Sequence, residues 1–288
     1  MPQRLFEGPE RPVTVYFDHE DGSRIHSRES DFPPFDLVLR SHFVRNAEYP
    51  SSFRPWAFGL TNRIIEAVRP IEPHGSRTSQ VLVSYRHMRY PHGVRAYMNR
   101  NFLSRLGDSL PVSQYTEDRD DAMDDSVAAH FWRLTGRRHS SGYYAALRAS
   151  TVSACFGGYF IPRWPRDERQ LLSRIFKRAI QRLNLRTARV TQFDSWRFWE
   201  SLAAGCATIH LDLARHGAVL PVMPTNWEHY IGLSSEHLDR DMQRMFEDPS
   251  LFERIGLAGQ AWSLNAYSPL AAAKRLLALM GTSASSYR

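Results

Sequence analysis

A carboxylate and a guanidinium lie one helical turn apart in the segment FDSWRFWESLAAGCATIHLD, residues 193–212. Asp194 or Ser195 is a natural N-cap for a helix that carries Arg197 in its first turn and Glu200 three residues later. The free N–H groups at such a helix start bind phosphate, and an arginine adds a bidentate contact. A carboxylate does not bind phosphate, but it accepts two hydrogen bonds from a ribose diol. The spacing therefore indicates a nucleoside diphosphate site, with a surface Arg–Glu pair as the alternative.

The elements around this segment indicate parallel β-structure. Gly205 stands where the helix must end, and a buried strand, residues 206–212, follows it directly. Apolar runs without strict alternation also occur at residues 37–39 and 81–85, and helical patterns follow both. Helices on both faces bury such strands, which predicts a doubly wound α/β fold that binds ligands at the carboxyl ends of its strands. Further helices are predicted at residues 237–246, 250–261 and 269–280.

A stretch rich in proline, glycine and serine, IEPHGSRTSQ at residues 71–80, is typical of a linker. It divides the chain into a short N-terminal lobe at residues 1–75 and a second domain at residues 76–288. The first lobe is short for a domain that forms a complete ligand-binding surface alone. Either its binding surface is minimal, or a second copy of the chain or another partner completes it.

The composition is that of a globular protein, since 42% of the residues are hydrophobic and 23% are charged. The net charge is +7, and Lys177 and Lys274 are the only lysines. Arginine suits phosphate recognition, but a codon bias toward arginine would give the same composition. Cys155 and Cys206 lie in apolar surroundings without metal-ligand spacing, which predicts reduced core residues. With no signal peptide and no run of about 18 apolar residues, we expect a cytoplasmic protein without a membrane span.

The segment FWESLAAGCATI, residues 198–209, resembles the nucleotide-sugar motif of GT-B glycosyltransferases. In that motif a helix glutamate precedes small residues, a glycine and a buried strand. The similarity covers about residues 78–280 and is most specific at residues 190–268. Two downstream segments, residues 216–233 and 247–269, look like the donor-domain tail of bacterial family-1-type transferases and, more loosely, of exostosin-type domains. Two upstream segments, residues 81–95 and 150–160, fit earlier loops of the same domain.

The resemblance implies a GT-B-like fold of two Rossmann-like lobes with parallel sheets, in which residues 1–75 are the acceptor-side lobe and make only part of a usual acceptor domain. It also implies a role for each matching position. Glu200 would hold the donor ribose, while Asp194, Ser195 and the neighbouring amides would approach the diphosphate with support from Arg197. Gln192 stands where many retaining members carry a second glutamate, so the sugar contact and the stereochemical outcome stay open. Arg86 and Arg95 are also implied on the donor side, with a solvated basic loop as the alternative. Gly157 and Gly158 are implied to approach the donor, with an ordinary turn as the alternative.

Transfer from a nucleotide sugar requires stabilisation of the leaving diphosphate as negative charge develops. The resemblance implies that arginines, with Arg86 as the catalytic candidate, and helix amides do this without a metal or another cofactor. The nucleotide-diphosphate sugar is then a co-substrate. An inverting reaction also needs a general base against the acceptor hydroxyl. His42, which follows the strand at residues 37–39, is the predicted base, with Asp18 and Glu20 as alternatives.

The residues do not define the acceptor. The positive net charge favours an anionic acceptor, which would be a glycan or, as the less favoured alternative, modified DNA. Nucleic acid is less favoured because the sequence has no helix-turn-helix signature, zinc spacing or RNA-recognition motif. The alternative from another functional class is a non-catalytic nucleotide- or glycan-binding module derived from a glycosyltransferase.

Overall fold

The computed structural model describes residues 11–19, 35–45, 47–85, 93–115, 140–161 and 189–285. Two of the predicted site residues, Glu20 and Arg86, lie outside these ranges. The strands within them are β1 (Val15–Asp18), β2 (Leu37–Arg40), β3 (Phe53–Pro55), β4 (Thr78–Val83), β5 (Val112–Gln114), β6 (Ser150–Ala154), β7 (Tyr159–Ile161), β8 (Arg189–Thr191), β9 (Ala207–Leu211) and β10 (Ile231–Leu233). The α-helices are α1 (Asn62–Ala67), α2 (Val94–Asn101), α3 (Ser141–Ala149), α4 (Trp196–Ala203), α5 (Leu238–Glu247), α6 (Leu251–Tyr267) and α7 (Pro269–Ser285).

The first sheet is parallel and has the strand order β1-β2-β3. The central strand β2 pairs Leu37 with Val15 on one side and Val38 with Phe53 on the other. All four residues of β2 are buried. The apolar run at residues 37–39 thus forms a central strand covered on both faces, as its lack of alternation predicted.

The second sheet is also parallel, with the order β10-β9-β6-β4-β5. Strands β6 and β9 lie inside it, and every residue of both strands is buried. Helix α3, which begins where the Ser140 side chain accepts a hydrogen bond from the Tyr143 N–H, leads into β6. Helix α4 leads into β9 in the same way. The structure therefore confirms the α/β class with parallel sheets.

A short antiparallel pair, β7 with β8, was not predicted from the sequence. Each strand has three residues, which is too short for a recognisable period. The pair joins the chain after β6 to the segment that precedes α4, and so brings Gly158 against Thr191. It therefore helps to position the start of α4.

Elements on each side of the boundary predicted at residue 75 pack on the sheet of the other side. Ile64 and Val68, from helix α1 and its end, belong to the large hydrophobic core of the second sheet rather than to the first lobe. The C-terminal helix α7 makes the opposite exchange, because Leu276 and Leu279 pack on the cluster formed by Leu37, Leu39 and Trp56. A sheet of three short strands cannot bury enough apolar surface alone, and α7 covers part of it.

The two cysteines are free and buried, as predicted. Burial raises the pKa of the Cys155 thiol to about 12 and that of Cys206 to about 11. Among the described residues, no helix is both long enough and apolar enough to cross a membrane.

Candidate functional site

The start of helix α4 lies at the junction between the two sheets. Ser195 occupies the N-cap position with extended backbone, but its side chain makes no capping hydrogen bond. Gln192 precedes it with a φ of 54°, a value that non-glycine residues seldom adopt. The helix ends at Gly205, whose φ of 71° confirms the predicted glycine stop. The first-turn N–H groups of α4 are therefore not capped by the Ser195 hydroxyl, and the helix start is suited to bind an anion.

Asp194 does not cap α4 either, because its carboxylate joins the two halves of the protein. One oxygen, Oδ2, accepts a hydrogen bond from the Phe58 N–H at 2.8 Å, and the other, Oδ1, accepts one from the Trp199 indole at 2.6 Å. The Asp194 N–H donates to His42 Nδ1 at 3.1 Å. Burial raises the pKa of Asp194, although His42 and the two hydrogen bonds to the carboxylate act in the opposite direction.

Glu200 and Arg197 meet as their spacing predicts, but inside a buried network rather than at an open surface. Arg197 donates to Glu200 Oε2 at 3.1 Å, and its guanidinium lies 3.9 Å from the centre of the Tyr143 ring. The hydroxyl of Tyr143 donates to Oε2 at 3.1 Å, and that of Tyr144 donates to Oε1 at 2.9 Å. Glu200 is 0% exposed. In this conformation both carboxylate oxygens contact protein, and neither faces a ligand.

The predicted donor loop after β6 also contacts the protein itself. A Cβ atom on Gly158 would lie 2.2 Å from the Thr191 carbonyl oxygen, and one on Gly157 would lie 3.3 Å from that of Phe193. The close approach that these glycines permit is therefore to the backbone before α4, not to a donor. Arg95 donates from Nε to the Phe156 carbonyl at 2.8 Å, which fixes the same loop.

His42, the predicted general base, lies inside the lobe junction. It is 4% exposed, has a φ of 58°, and packs edge-on against Phe58 and Phe193. Because Nδ1 accepts a hydrogen bond, the neutral ring carries its proton on Nε2. The alternative base Asp18 is buried in an ion pair with Arg40. Neither side chain is placed to meet an acceptor hydroxyl in this conformation.

The histidine that does reach the surface of the junction is His19, which the sequence interpretation missed. It follows β1 as His42 follows β2, and it is exposed. Its Nδ1 lies 2.7 Å from the Ser41 hydroxyl. Burial of part of the ring lowers the pKa of His19, while the carboxylates of Asp194 and Asp18 raise it. The available signal was a histidine directly after a predicted strand, between the two acids Asp18 and Glu20.

The described part of the chain contains no group of three or more His, Cys, Asp or Glu side chains that could hold a metal ion. The arrangement consists instead of a helix start, a buried arginine–glutamate pair and an exposed imidazole at the carboxyl end of a parallel strand. An exposed helix start of this kind can bind an anion through backbone N–H groups, and an exposed imidazole can transfer a proton.

No family model matches this sequence, and no curated protein matches it. Among solved structures, an alpha-glucosyltransferase in complex with UDP aligns at 8% identity and a TM-score of 0.46 over 81% of this chain, which spans only 58% of that protein's length. The same kind of enzyme with UDP and a 13-mer DNA containing a HMU base aligns at 8% identity and a TM-score of 0.48, over 88% of this chain and 72% of the other. AviGT4, a glycosyltransferase involved in avilamycin A biosynthesis, aligns at 9% identity and a TM-score of 0.44, over 94% and 74%. These solved structures that the chain resembles are glycosyltransferases.

Proposed function

We propose that this protein is a glycosyltransferase that moves a sugar from a nucleotide-diphosphate sugar to a hydroxyl acceptor. The observation that carries the proposal is the meeting of two parallel sheets at the start of α4. His42 after β2 and Phe58 after β3 both contact Asp194, so the carboxyl ends of the first sheet face the N-terminus of that helix. Ligands of α/β proteins bind at such strand ends.

The donor diphosphate is assigned to the N-terminus of α4. The helix offers N–H groups that the Ser195 side chain does not cap, and its dipole favours an anion. The Ser195 hydroxyl is buried without a hydrogen-bond partner in the described structure, so a phosphate oxygen would give it one. No step in this scheme requires a metal ion.

Glu200 is assigned to the donor ribose, as the sequence resemblance implies, but the site must rearrange to accept it. The hydroxyls of Tyr143 and Tyr144 donate to the two oxygens of Glu200 in the way that the two hydroxyls of a ribose diol would. Ribose binding therefore replaces at least the Tyr144 hydroxyl. The Tyr143 side chain is held more firmly, because its ring also stacks with the Arg197 guanidinium.

The general base is assigned to His19 rather than His42, because His19 is the exposed ring. When Nδ1 donates its proton to the Ser41 hydroxyl, the lone pair lies on Nε2. In a single displacement, Nε2 takes the proton of the acceptor hydroxyl as its oxygen bonds to the anomeric carbon. The bond from that carbon to the donor phosphate oxygen breaks, and the diphosphate leaves with the electron pair.

A second function, a non-catalytic nucleotide- or glycan-binding module, is favoured by one observation. The carboxylate of Glu200 is closed off by the hydroxyls of two tyrosines. A protein that had lost turnover would keep the fold and would no longer need an open carboxylate. The two functions differ in whether a bound donor is consumed.

Calorimetric titration with UDP, GDP, ADP and CMP, followed by assays of donor-sugar hydrolysis, tests the proposal. We expect at least one nucleotide to bind, and Ser195→Ala and Glu200→Gln to weaken it. Ser250→Ala, which removes a hydroxyl that donates to the nearby Asp248 carboxylate in an exposed turn, is the matched control. No binding of any nucleotide would refute the donor site. Binding without hydrolysis or transfer would favour the module, whereas hydrolysis that His19→Asn abolishes while binding persists would establish the enzyme.

A further inference from the structure

Four aromatic side chains form a continuous row across the lobe junction. We call the rings of Phe17, His19, Phe58 and Trp196 the aromatic row. The Phe17 and His19 centroids are 6.1 Å apart, those of His19 and Phe58 are 5.4 Å apart, and those of Phe58 and Trp196 are 5.0 Å apart. The row begins on β1 of the first lobe and ends at the first residue of α4 in the second.

The row is open to solvent at both ends. Phe17 is 42% exposed and Trp196 is 38% exposed, and His19 between them is also exposed. The backbone of Phe58 is fixed in position, because its N–H donates to the buried Asp194 carboxylate. Contiguous exposed apolar surface of this kind marks ligand-binding grooves and interaction sites.

We propose that the aromatic row is the acceptor subsite and that it binds a sugar ring of an uncharged glycan. The inference rests on the proposed function and supplies the acceptor class that the function leaves open. A sugar ring carries C–H groups on one face and hydroxyls around its edge. The C–H groups pack on the electron-rich face of an aromatic ring, and the hydroxyls hydrogen-bond to a polar group beside it.

The polar group in the row is the imidazole of His19. It lies between exposed Phe17 and half-buried Phe58, so a sugar stacked on the row would bring a hydroxyl within its reach. The end of the row at Trp196 is the first residue of α4, where the donor diphosphate is assigned. An acceptor on the row is therefore next to both the base and the donor, as transfer requires.

The local charge argues against a nucleic-acid strand on the same surface. Strand binding combines stacked bases with cations along the phosphate backbone. The charged groups that shift the pKa of His19, besides His42, are the carboxylates of Asp194 and Asp18. The nearby guanidinium of Arg40 is paired with Asp18. Among the described residues, a phosphate at the His19 end of the row would therefore meet two carboxylates and a guanidinium that is already paired, whereas an uncharged sugar has no charge to oppose.

Calorimetric titration with four neutral hexasaccharides, namely maltohexaose, cellohexaose, chitohexaose and mannohexaose, tests the assignment, with octathymidylate as the charged comparison. We expect one hexasaccharide to bind. Phe17→Ala should raise its Kd about fivefold to tenfold, the loss expected for one aromatic contact. Phe17→Trp should retain binding, and Phe246→Ala, which removes an equally exposed phenylalanine from α5, should leave the Kd unchanged.

The outcomes separate this inference from the proposed function, because UDP titration reads the donor site independently. If UDP binds while no hexasaccharide does, or if Phe17→Ala leaves the hexasaccharide Kd unchanged, the acceptor subsite is refuted and the donor site stands. Binding of octathymidylate that depends on Phe17 would also overturn the glycan assignment, because the aromatic row would then stack on nucleobases. If a hexasaccharide binds through Phe17 and no nucleotide binds, the row is confirmed and the transferase function fails.

Discussion

The carboxylate of Asp194 accepts a hydrogen bond from the backbone N–H of Phe58, a residue 136 positions earlier in the chain, at 2.8 Å. The same carboxylate accepts the indole N–H of Trp199. One buried side chain thus connects the loop after β3 to the body of α4. Because both proposed ligands would bind at this junction, the stability of the junction and its chemistry are linked.

Removing the Asp194 carboxylate should destabilise the protein, because the Trp199 indole N–H and the Phe58 backbone N–H lose their acceptor. We expect Asp194→Ala to lower the free energy of unfolding by about 3 kcal/mol and Asp194→Asn, which keeps one acceptor oxygen, to lower it less. Urea unfolding measures the loss. The control is Asp239→Ala, whose carboxylate is 83% exposed in its pair with Arg105 and should cost less than about 1 kcal/mol. Equal losses in the two variants would contradict the role of Asp194.

Acid should destabilise the fold through His210. Burial lowers the pKa of this histidine to about 4, from an ordinary value of 6.5. Between those values the unfolded chain binds a proton at His210 that the folded chain does not. The contribution of neutral His210 to stability is therefore complete above pH 6.5 and is lost as the pH falls toward 4. The contribution is about 3 kcal/mol.

Unfolding in urea at a series of pH values from 7 to 4 measures the contribution of His210. We expect His210→Gln to have a shallower decline than the wild-type protein, whatever its stability at pH 7. His237→Gln, which changes an exposed histidine, should keep the wild-type decline. Parallel curves for the wild-type protein and His210→Gln would show that the proton is bound elsewhere.

Removing the Tyr144 hydroxyl, which covers one oxygen of Glu200, should strengthen nucleotide binding. Tyr144→Phe removes the hydroxyl that donates to Oε1, so a ribose hydroxyl meets less competition there. We expect the affinity for the preferred nucleotide to rise severalfold and the free energy of unfolding to fall by about 1 kcal/mol. Titration calorimetry and thermal unfolding give the two values.

Tyr115→Phe is the control for this change. It removes a hydroxyl that contacts Ser140, the N-cap of the helix α3 that carries Tyr144, and its hydrogen bond is to Ser140 rather than to Glu200. It should leave nucleotide affinity unchanged. If Tyr144→Phe also left the affinity unchanged or lowered it, Glu200 would be a structural carboxylate and not a ribose ligand.

Gly158 should tolerate no side chain. An added Cβ would lie 2.2 Å from the Thr191 carbonyl oxygen, and the φ of 87° is unfavourable for any other residue. We expect Gly158→Ala to cost about 3 kcal/mol or more in unfolding free energy because the backbone must move. Gly107→Ala separates the two causes, since Gly107 has a φ of 61° with nothing within 4 Å. It should cost only about 1 kcal/mol. Similar losses would mean that backbone conformation, not crowding, requires the glycine at position 158.

Much of the local structure around the candidate site followed from the order of residues alone. The helix at Trp196–Ala203, its glycine stop and the buried strand Ala207–Leu211 were all predicted. These features depend on interactions between residues a few positions apart, which spacing and residue type reveal. The predicted helices at residues 237–246 and 269–280 also agree with α5 and α7, apart from a few residues at their ends.

Only the tertiary structure decided what those local elements meet. Helical spacing placed Arg197 and Glu200 on one face, but it could not show that this face meets two tyrosines located 57 and 56 residues earlier than Glu200. It also could not show that, of two histidines after parallel strands, His42 is buried by the other lobe while His19 stays exposed. Burial and long-range contacts depend on how the lobes pack, and packing joins residues whose separation along the chain carries no periodic signal.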